Sequence, residues 1–156
     1  MASVSTYLNF ERSTEEAFTF YKSVFGTEFA GPIMRHGDVP SQEGMPQLSD
    51  EDKRLVMNIA LPILAGHLLM GTDIPASMGL MGTDTEPSMG RTLNKGNDVT
   101  IGLHPDSRDE ADRLFAALSA GGTVGQPMHD AFWGDYYGDL TDTFGTRWMI
   151  NYSTQS

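Results

Sequence analysis

The chain of 156 residues contains no cysteine, which excludes a disulfide framework, a thiolate metal site and a cysteine nucleophile. Basic residues are scarce, since 10 Lys and Arg stand against 21 Asp and Glu and the formal net charge is −11. We therefore expect no nucleic-acid partner and no anionic membrane partner, because both need a cationic surface. No apolar run approaches the roughly 20 residues of a membrane-spanning helix. The first residues lack the basic and apolar regions of a signal peptide, so we expect a cytoplasmic protein.

Two segments have the periodicity of an amphipathic helix, from Ser13 to Phe25 and from Ser107 to Ala120. Each begins with a serine followed three residues later by a glutamate, the pattern of a capping box, and each is followed by glycine. The expected buried stripes are Ala17, Phe18, Tyr21, Val24 and Phe25 in the first helix, and Ala111, Leu114, Phe115 and Leu118 in the second.

A strand-like run precedes each helix, at residues 4–10 and 98–104, and the helix caps stand at residues 13 and 107, so the offset is 94 residues in both cases. Further runs give each half the order β-α-β-β-β, which predicts an internal repeat. Because the residues themselves are not repeated, a chance coincidence of two similar units is the alternative. The further runs are Glu28 to Arg35, Arg54 to Pro62 and His67 to Thr72 in the first half, and Thr123 to Trp133, Tyr136 to Thr141 and Arg147 to Tyr152 in the second.

The expected organisation is a single α+β domain over residues 1–156, with one module at 1–73, a connector at 74–97 and a second module at 98–156. Residues 37–52 are polar and rich in turn formers, which predicts a loop. The methionines of the connector, together with Met70 just before the connector, either line a flexible apolar surface or fill gaps in the packing. These connector methionines are Met78, Met81 and Met89.

Short motifs occur in a characteristic order along nearly the whole chain. They are Tyr7–Phe10, Glu16-Ala17 with Phe20-Tyr21, Val24–Gly26, Leu69–Asp73, Phe132–Gly134, Asp142–Gly145 and Trp148–Asn151. With the doubled β-α-β-β-β order, the chain resembles the vicinal oxygen chelate superfamily of glyoxalase I, extradiol dioxygenases and bleomycin-resistance proteins. Within it, the chain resembles the PhnB-like branch, whose members often carry a 3-demethylubiquinone methyltransferase-like label. The sequence has no Rossmann-type glycine-rich turn that would support that label.

The resemblance implies two βαβββ modules whose mixed sheets curl around a shared cavity, and a homodimer. It also implies a divalent ion, held by His or Glu from the first and last strands of each module and used as a Lewis acid. In the first module, the candidates at the metal-ligand positions are Ser5, Tyr7 and Asn9 of the first strand, as strand alternation indicates, and Met70, Gly71 and Thr72 of the last strand. In the second module Asp98 stands near the family's His, and Met149 stands where the family has Glu. One strong ligand of four does not make a divalent site, so we expect no metal or other cofactor.

Other chemistry-bearing residues leave alternatives open. His36, His67 and His104 are expected at the surface, whereas His129 with Asp130 is either a base with an acidic neighbour or a solvated pair whose members face opposite ways. The aromatic cluster either stacks on a planar ligand or packs in a core or interface. Alternation places Trp148 on the helix side. The cluster consists of Phe132, Trp133, Tyr136 and Tyr137.

The sequence thus predicts a PhnB-like protein that binds a small, partly apolar molecule in its cavity, without a catalytic metal. The alternative is a lyase, isomerase or dioxygenase of the same superfamily that depends on a divalent metal. The acidity alone suggests a third possibility, sequestration of a cationic drug. The candidate wall residues are Tyr7, Asn9, Met70, Thr72, Asp98, Trp133, Tyr137, Met149 and Asn151.

Overall fold

The computed structural model describes residues 2–40, 47–74 and 93–154. The chain divides into two compact units, Met1–Asn94 and Lys95–Ser156. The connector methionines Met78, Met81 and Met89 lie outside the described residues. Within the described part, the helices are too short or too polar to cross a bilayer.

The first unit is a four-stranded mixed sheet covered by one long helix. The strand order is β1-β4-β3-β2, with β1 parallel to β4 and the other neighbours antiparallel. Its elements are β1 (Ser5–Phe10), α1 (Thr14–Phe25), β2 (Met34–Arg35), α2 (Asp50–Lys53), β3 (Val56–Pro62) and β4 (Leu68–Asp73).

The second unit has the same arrangement, with strand order β5-β8-β7-β6 and β5 parallel to β8. The two orders correspond strand for strand, so the predicted repeat is confirmed in the topology, and the α+β class is confirmed with it. The elements are β5 (Ile101–Leu103), α3 (Arg108–Ser119), β6 (Thr123–Asp130), β7 (Tyr136–Thr141) and β8 (Arg147–Tyr152).

Each unit has its core between the long helix and one face of the sheet. Seven of the nine predicted stripe residues are buried there, whereas Phe25 and Phe115 are partly exposed. Along β4 buried residues alternate with partly exposed ones, as expected when one sheet face is covered. Trp148 is fully buried, as predicted, and its indole N–H donates to Asp142 Oδ2 at 2.8 Å. The face of each sheet opposite the helix, called here the open face, carries the candidate wall residues other than Asp98.

Several predicted strands are too long. β2 is confined to Met34–Arg35, where a bulge interrupts pairing with β3, and the preceding Pro32 has no N–H to donate to a ladder. β5 begins only at Ile101, so Asp98 lies in a bend ahead of it. β6 ends at Asp130 because the chain turns there, with the Ala131 amide donating to the Asp135 carbonyl at 2.8 Å.

The region expected to be one loop, residues 37–52, contains the start of α2. Ser49 caps this short helix, since its side chain accepts from the Asp52 amide at 3.1 Å. Three acidic residues fill the first turn, where they interact favourably with the helix dipole.

The two long helices begin differently, although both were predicted to carry capping boxes. Ser107 Oγ accepts from the Glu110 amide at 3.1 Å, as predicted, while the Glu110 carboxylate pairs with Arg113 at 2.7 Å. For Ser13 the prediction is wrong, because within the described residues its side chain makes no capping bond. The amide and hydroxyl of Thr14 donate instead to Asp73 Oδ1, from the end of β4.

Candidate functional site

Four candidate wall residues lie together on the open face of the first sheet. The parallel register places Tyr7 beside Met70 and Asn9 beside Thr72, and directly paired residues share a face. Tyr7 is 49% exposed, and the Ser5 hydroxyl donates to Met70 Sδ at 3.6 Å. This surface of Tyr7, Asn9, Met70 and Thr72 is the first open face. It offers a phenol, an amide, a thioether and a hydroxyl to a ligand.

Gly71 does not belong to the first open face, although it was considered with Met70 and Thr72. It lies under α1, where an added Cβ would stand 2.5 Å from Phe18 Cε1 and 3.0 Å from Thr14 Cγ2. The absence of a side chain here lets the helix approach the sheet. A metal ligand at this position would not reach the open face.

Asp73 is a buried residue that the sequence argument did not single out. Its Oδ1 accepts from the amide and hydroxyl of Thr14, and its Oδ2 accepts from the Val56 amide at 2.9 Å. His36 Nε2 lies 2.9 Å from the Asp73 carbonyl oxygen, so His36 is half-buried in a specific contact rather than simply at the surface. The carboxylate joins the start of α1 to the start of β3 and thereby fixes the sheet that carries the first open face.

A second group of wall residues lies on the open face of the second sheet. Tyr137 pairs with Asn151, and Asp139 pairs with Met149, while His129 of β6 stands beside Tyr137. The Asn151 amide nitrogen donates to Asp135 Oδ2 at 2.9 Å, so the Asp135 carboxylate reaches the same face. The second open face is defined by His129, Trp133, Asp135, Tyr137, Asp139, Met149 and Asn151.

Aromatic rings form the centre of the second open face. The Trp133 and Tyr137 ring centroids are 5.8 Å apart with an interplanar angle of 65°, and the His129 ring meets Tyr137 edge-on at 6.1 Å. Trp133 is 50% exposed, and its neighbour Phe132 is 98% exposed. Half-exposed Trp133 therefore presents ring surface to solvent beside a phenol.

Carboxylates flank the rings. The Tyr137 hydroxyl donates to Asp139 Oδ2 at 2.9 Å, and the Gln126 amide donates to Asp139 Oδ1 at 2.9 Å. Gly125 makes room for this bond, because an added Cβ would lie against Asp139 Oδ1. Burial raises the pKa of the Tyr137 phenol, and the bond to the Asp139 carboxylate raises it further, against a smaller lowering by Arg147. Tyr137 is thus held as a hydrogen-bond donor.

The aromatic cluster divides between the two sides of the second sheet. The Tyr136 hydroxyl donates to Asp112 of α3 at 2.6 Å, and the Arg108 guanidinium lies 3.9 Å from the Tyr136 ring centroid, so Tyr136 belongs to the helix side. Arg108 also pairs with Asp130 at 2.8 Å. Asp130 therefore faces the helix while His129 faces the opposite way, which confirms that the two do not converge.

Asp98, the last wall candidate, is exposed in the bend at residues 97–98. Its Oδ1 lies near Gly96, where an added Cβ would stand 3.2 Å away. The strand alternation used to aim Asp98 at the cavity does not apply, because β5 begins three residues later.

The model of the Glyoxalase/Bleomycin resistance protein/Dioxygenase superfamily matches residues 10–150. The chain belongs to this superfamily. It is 28% identical over 153 residues to the protein YjdN of Escherichia coli, covering 95% of this chain and 93% of YjdN.

Two solved structures share the fold of this chain. Protein PA1353 from Pseudomonas aeruginosa is 29% identical, with a TM-score of 0.74 and 98% of each chain covered. A PhnB protein from Bacillus cereus is 19% identical, with a TM-score of 0.66, 97% of this chain and 100% of that chain covered. At 19% identity the second likeness is one of fold alone.

The divalent ion implied by the superfamily does not match the donors present. Met149 and Met70 offer thioethers, which are poor ligands for such ions, and Gly71 faces α1. His104 lies near Met149 on the second sheet, since an added Cβ at Gly102 would be 3.5 Å from His104 Nε2 and 3.7 Å from Met149 Cε. Across residues 2–40, 47–74 and 93–154, no group of three or more His, Asp or Glu could hold a metal ion.

Proposed function

We propose that this superfamily member binds a small, partly apolar molecule on its open faces and uses no divalent metal. The observation that supports this most strongly is the second open face, where half-exposed Trp133 lies against Tyr137 beside the amide of Asn151. Ligand sites typically combine apolar and aromatic surface with a few polar groups that orient the ligand. This face has that composition.

The roles follow from the chemistry of the side chains. Trp133 and Tyr137 stack on a planar or apolar group, and Met149 supplies adaptable apolar contact. Asn151 is fixed by its bond to Asp135, so its amide orients a polar group of the ligand. On the first open face Tyr7 and Met70 supply apolar surface, while Asn9 and Thr72 supply hydrogen bonds. Asp98 supplies an exposed carboxylate ahead of β5.

Nile red, a neutral apolar dye, tests the proposal by its fluorescence gain on titration into the full chain. We expect binding that weakens at least fivefold in Trp133→Ala and in Met149→Ala. Val99→Ala is the matched control, since Val99 is 70% exposed and lies outside the second open face. Failure of the dye to bind, or equal weakening by Val99→Ala, overturns the proposal.

The alternative function is a lyase, isomerase or dioxygenase dependent on a divalent metal, which superfamily membership favours. Metal analysis of protein purified without chelator separates the two. We expect no stoichiometric divalent ion. A stoichiometric ion that is lost in Asp98→Ala would overturn the metal-free proposal.

We also propose that the protein is a cytoplasmic homodimer, as its PhnB-like resemblance implies. Size-exclusion chromatography with light scattering should give twice the chain mass of 17.1 kDa. A single-chain mass at micromolar concentration contradicts the dimer.

A further inference from the structure

The second open face carries a carboxylate on each side of its central phenol. Asp135 and Asp139 stand two residues before and after Tyr137, and all three side chains reach the same sheet face, as the bonds to Asn151 and from Tyr137 show. Asp135 lies one residue ahead of β7, and four residues of extended backbone span up to roughly 13 Å. The face thus presents negative charge, aromatic ring and negative charge in sequence.

The aromatic surface suits a cation as well as an apolar group. An ammonium group over the face of Trp or Tyr is attracted by the ring quadrupole. Trp133 is half-exposed and stands at 65° to Tyr137, so the two rings form a corner rather than a closed stack. The methylene chain of an alkylamine would pack in that corner while its ammonium ends reach carboxylates.

Arg147 opposes the two carboxylates with one positive charge, which lowers the pKa of Tyr137, so Asp135 and Asp139 leave one net negative charge among these three groups. Arg147 lies on the same side of β8 as Met149, and its guanidinium donates to the Asn97 carbonyl. His129 Nδ1 lies 2.8 Å from the Pro127 carbonyl oxygen. Asp130 faces the other side, where it pairs with Arg108.

We infer that the second open face binds a linear aliphatic amine with two or more ammonium groups, such as an extended diamine or triamine. Trp133 and Tyr137 hold the methylene chain, and Asp135 and Asp139 hold the ammonium ends. This inference rests on the proposed function, because it names the ligand class of the same face. It requires a chain long enough to pass Tyr137, since the two carboxylates flank that residue.

Isothermal titration calorimetry at low salt tests separately how binding depends on the chain length of the ligand and on its charge. We expect 1,8-diaminooctane and spermidine to bind at least tenfold more tightly than butylamine or the uncharged 1,8-octanediol. Binding should weaken as salt is added, because surface ion pairs are screened. Equal affinity for the diol, or for the short monoamine, overturns the inference.

Two variants locate the site without removing core groups. Trp133→Ala removes a half-exposed ring, and Asp135→Asn keeps an oxygen that accepts from Asn151 while removing the charge. Each should weaken 1,8-diaminooctane binding at least fivefold. Asp106→Asn is the matched control, because it removes the same charge from an exposed position ahead of α3. Unchanged binding in Trp133→Ala and Asp135→Asn, or equal weakening in Asp106→Asn, overturns the inference.

Nile red distinguishes failure of this inference from failure of the proposed function. If the dye binds in a Trp133-dependent way and the diamines do not, the amine class is wrong and the binding face stands. If neither binds, both proposals fall.

Discussion

Asp73 holds the first turn of α1 from the far end of β4. One carboxylate oxygen accepts from both the amide and the hydroxyl of Thr14, at 3.0 and 2.7 Å. The other accepts from the Val56 amide at 2.9 Å. Asp73 is 3% exposed and Thr14 is fully buried, so these bonds satisfy donors that water does not reach.

Replacing Asp73 with Asn should destabilise the protein by about 1–3 kcal/mol, the usual cost of a buried polar group that loses its partner. The amide has only one accepting oxygen, so either the Thr14 donors or the Val56 amide would face its NH₂ group. Urea unfolding followed by far-UV circular dichroism measures the change. Asp106→Asn is the control and should leave the midpoint unchanged; equal loss in both variants would contradict the structural role of Asp73.

Gly71 should tolerate no side chain. An added Cβ would meet the Phe18 ring at 2.5 Å, and overpacking of this kind costs about 1–3 kcal/mol. Gly71→Ala should therefore lower the urea midpoint. Gly31→Ala is the matched control, since an added Cβ there has nothing within 4 Å. A Gly71→Ala variant as stable as Gly31→Ala would show that α1 does not press on β4 at this point.

Local periodicity predicted the elements whose pairing is continuous. β7 and β8 begin and end as predicted, because they run antiparallel in unbroken register over six residues each. The same alternation put Trp148 on the covered face and Met149 and Asn151 on the open one. For β2 and β5 the predicted strand ends are wrong, since the length of each strand depends on how far its partner strand continues.

The features that the sequence did not reveal join distant segments. Asp73 and Thr14 are 59 residues apart, so the capping of α1 by Asp73 has no local signature, whereas Ser13 with Glu16 has the local pattern of a capping box and does not form one. Gly71 likewise lies against α1, which comes from a distant part of the chain. Alternation along β7 gives Tyr137 and Asp139 on one face, but Asp135 lies one residue ahead of the strand, and only its bond from Asn151 shows that its carboxylate reaches this face.

The two tryptophans should report two environments. Trp133 is 50% exposed, whereas Trp148 is fully buried, and they are the only tryptophans in the sequence. Acrylamide quenching should give a downward-curved Stern–Volmer plot in the wild type and weak quenching in Trp133→Phe. Trp148→Phe is the reciprocal control and should leave only the accessible component. Strong quenching in Trp133→Phe would contradict the buried position of Trp148.

Tyr137 should make stability depend on alkaline pH. Burial and the bond to Asp139 raise the pKa of Tyr137 above its usual value of 10.0 in the folded protein. The unfolded chain therefore releases this proton first as pH rises, so the stabilisation is complete below pH 10 and is lost as pH rises through the folded pKa. Tyr137→Phe removes the group, so its stability should fall less steeply than the wild type's above pH 10. Urea midpoints between pH 8 and 11 measure both slopes. Trp133→Phe is the control, because it keeps the phenol beside Asp139 and should retain the wild-type slope. Equal slopes in the wild type and Tyr137→Phe would contradict the prediction, since they would show that the phenol titrates alike in the folded and unfolded chains.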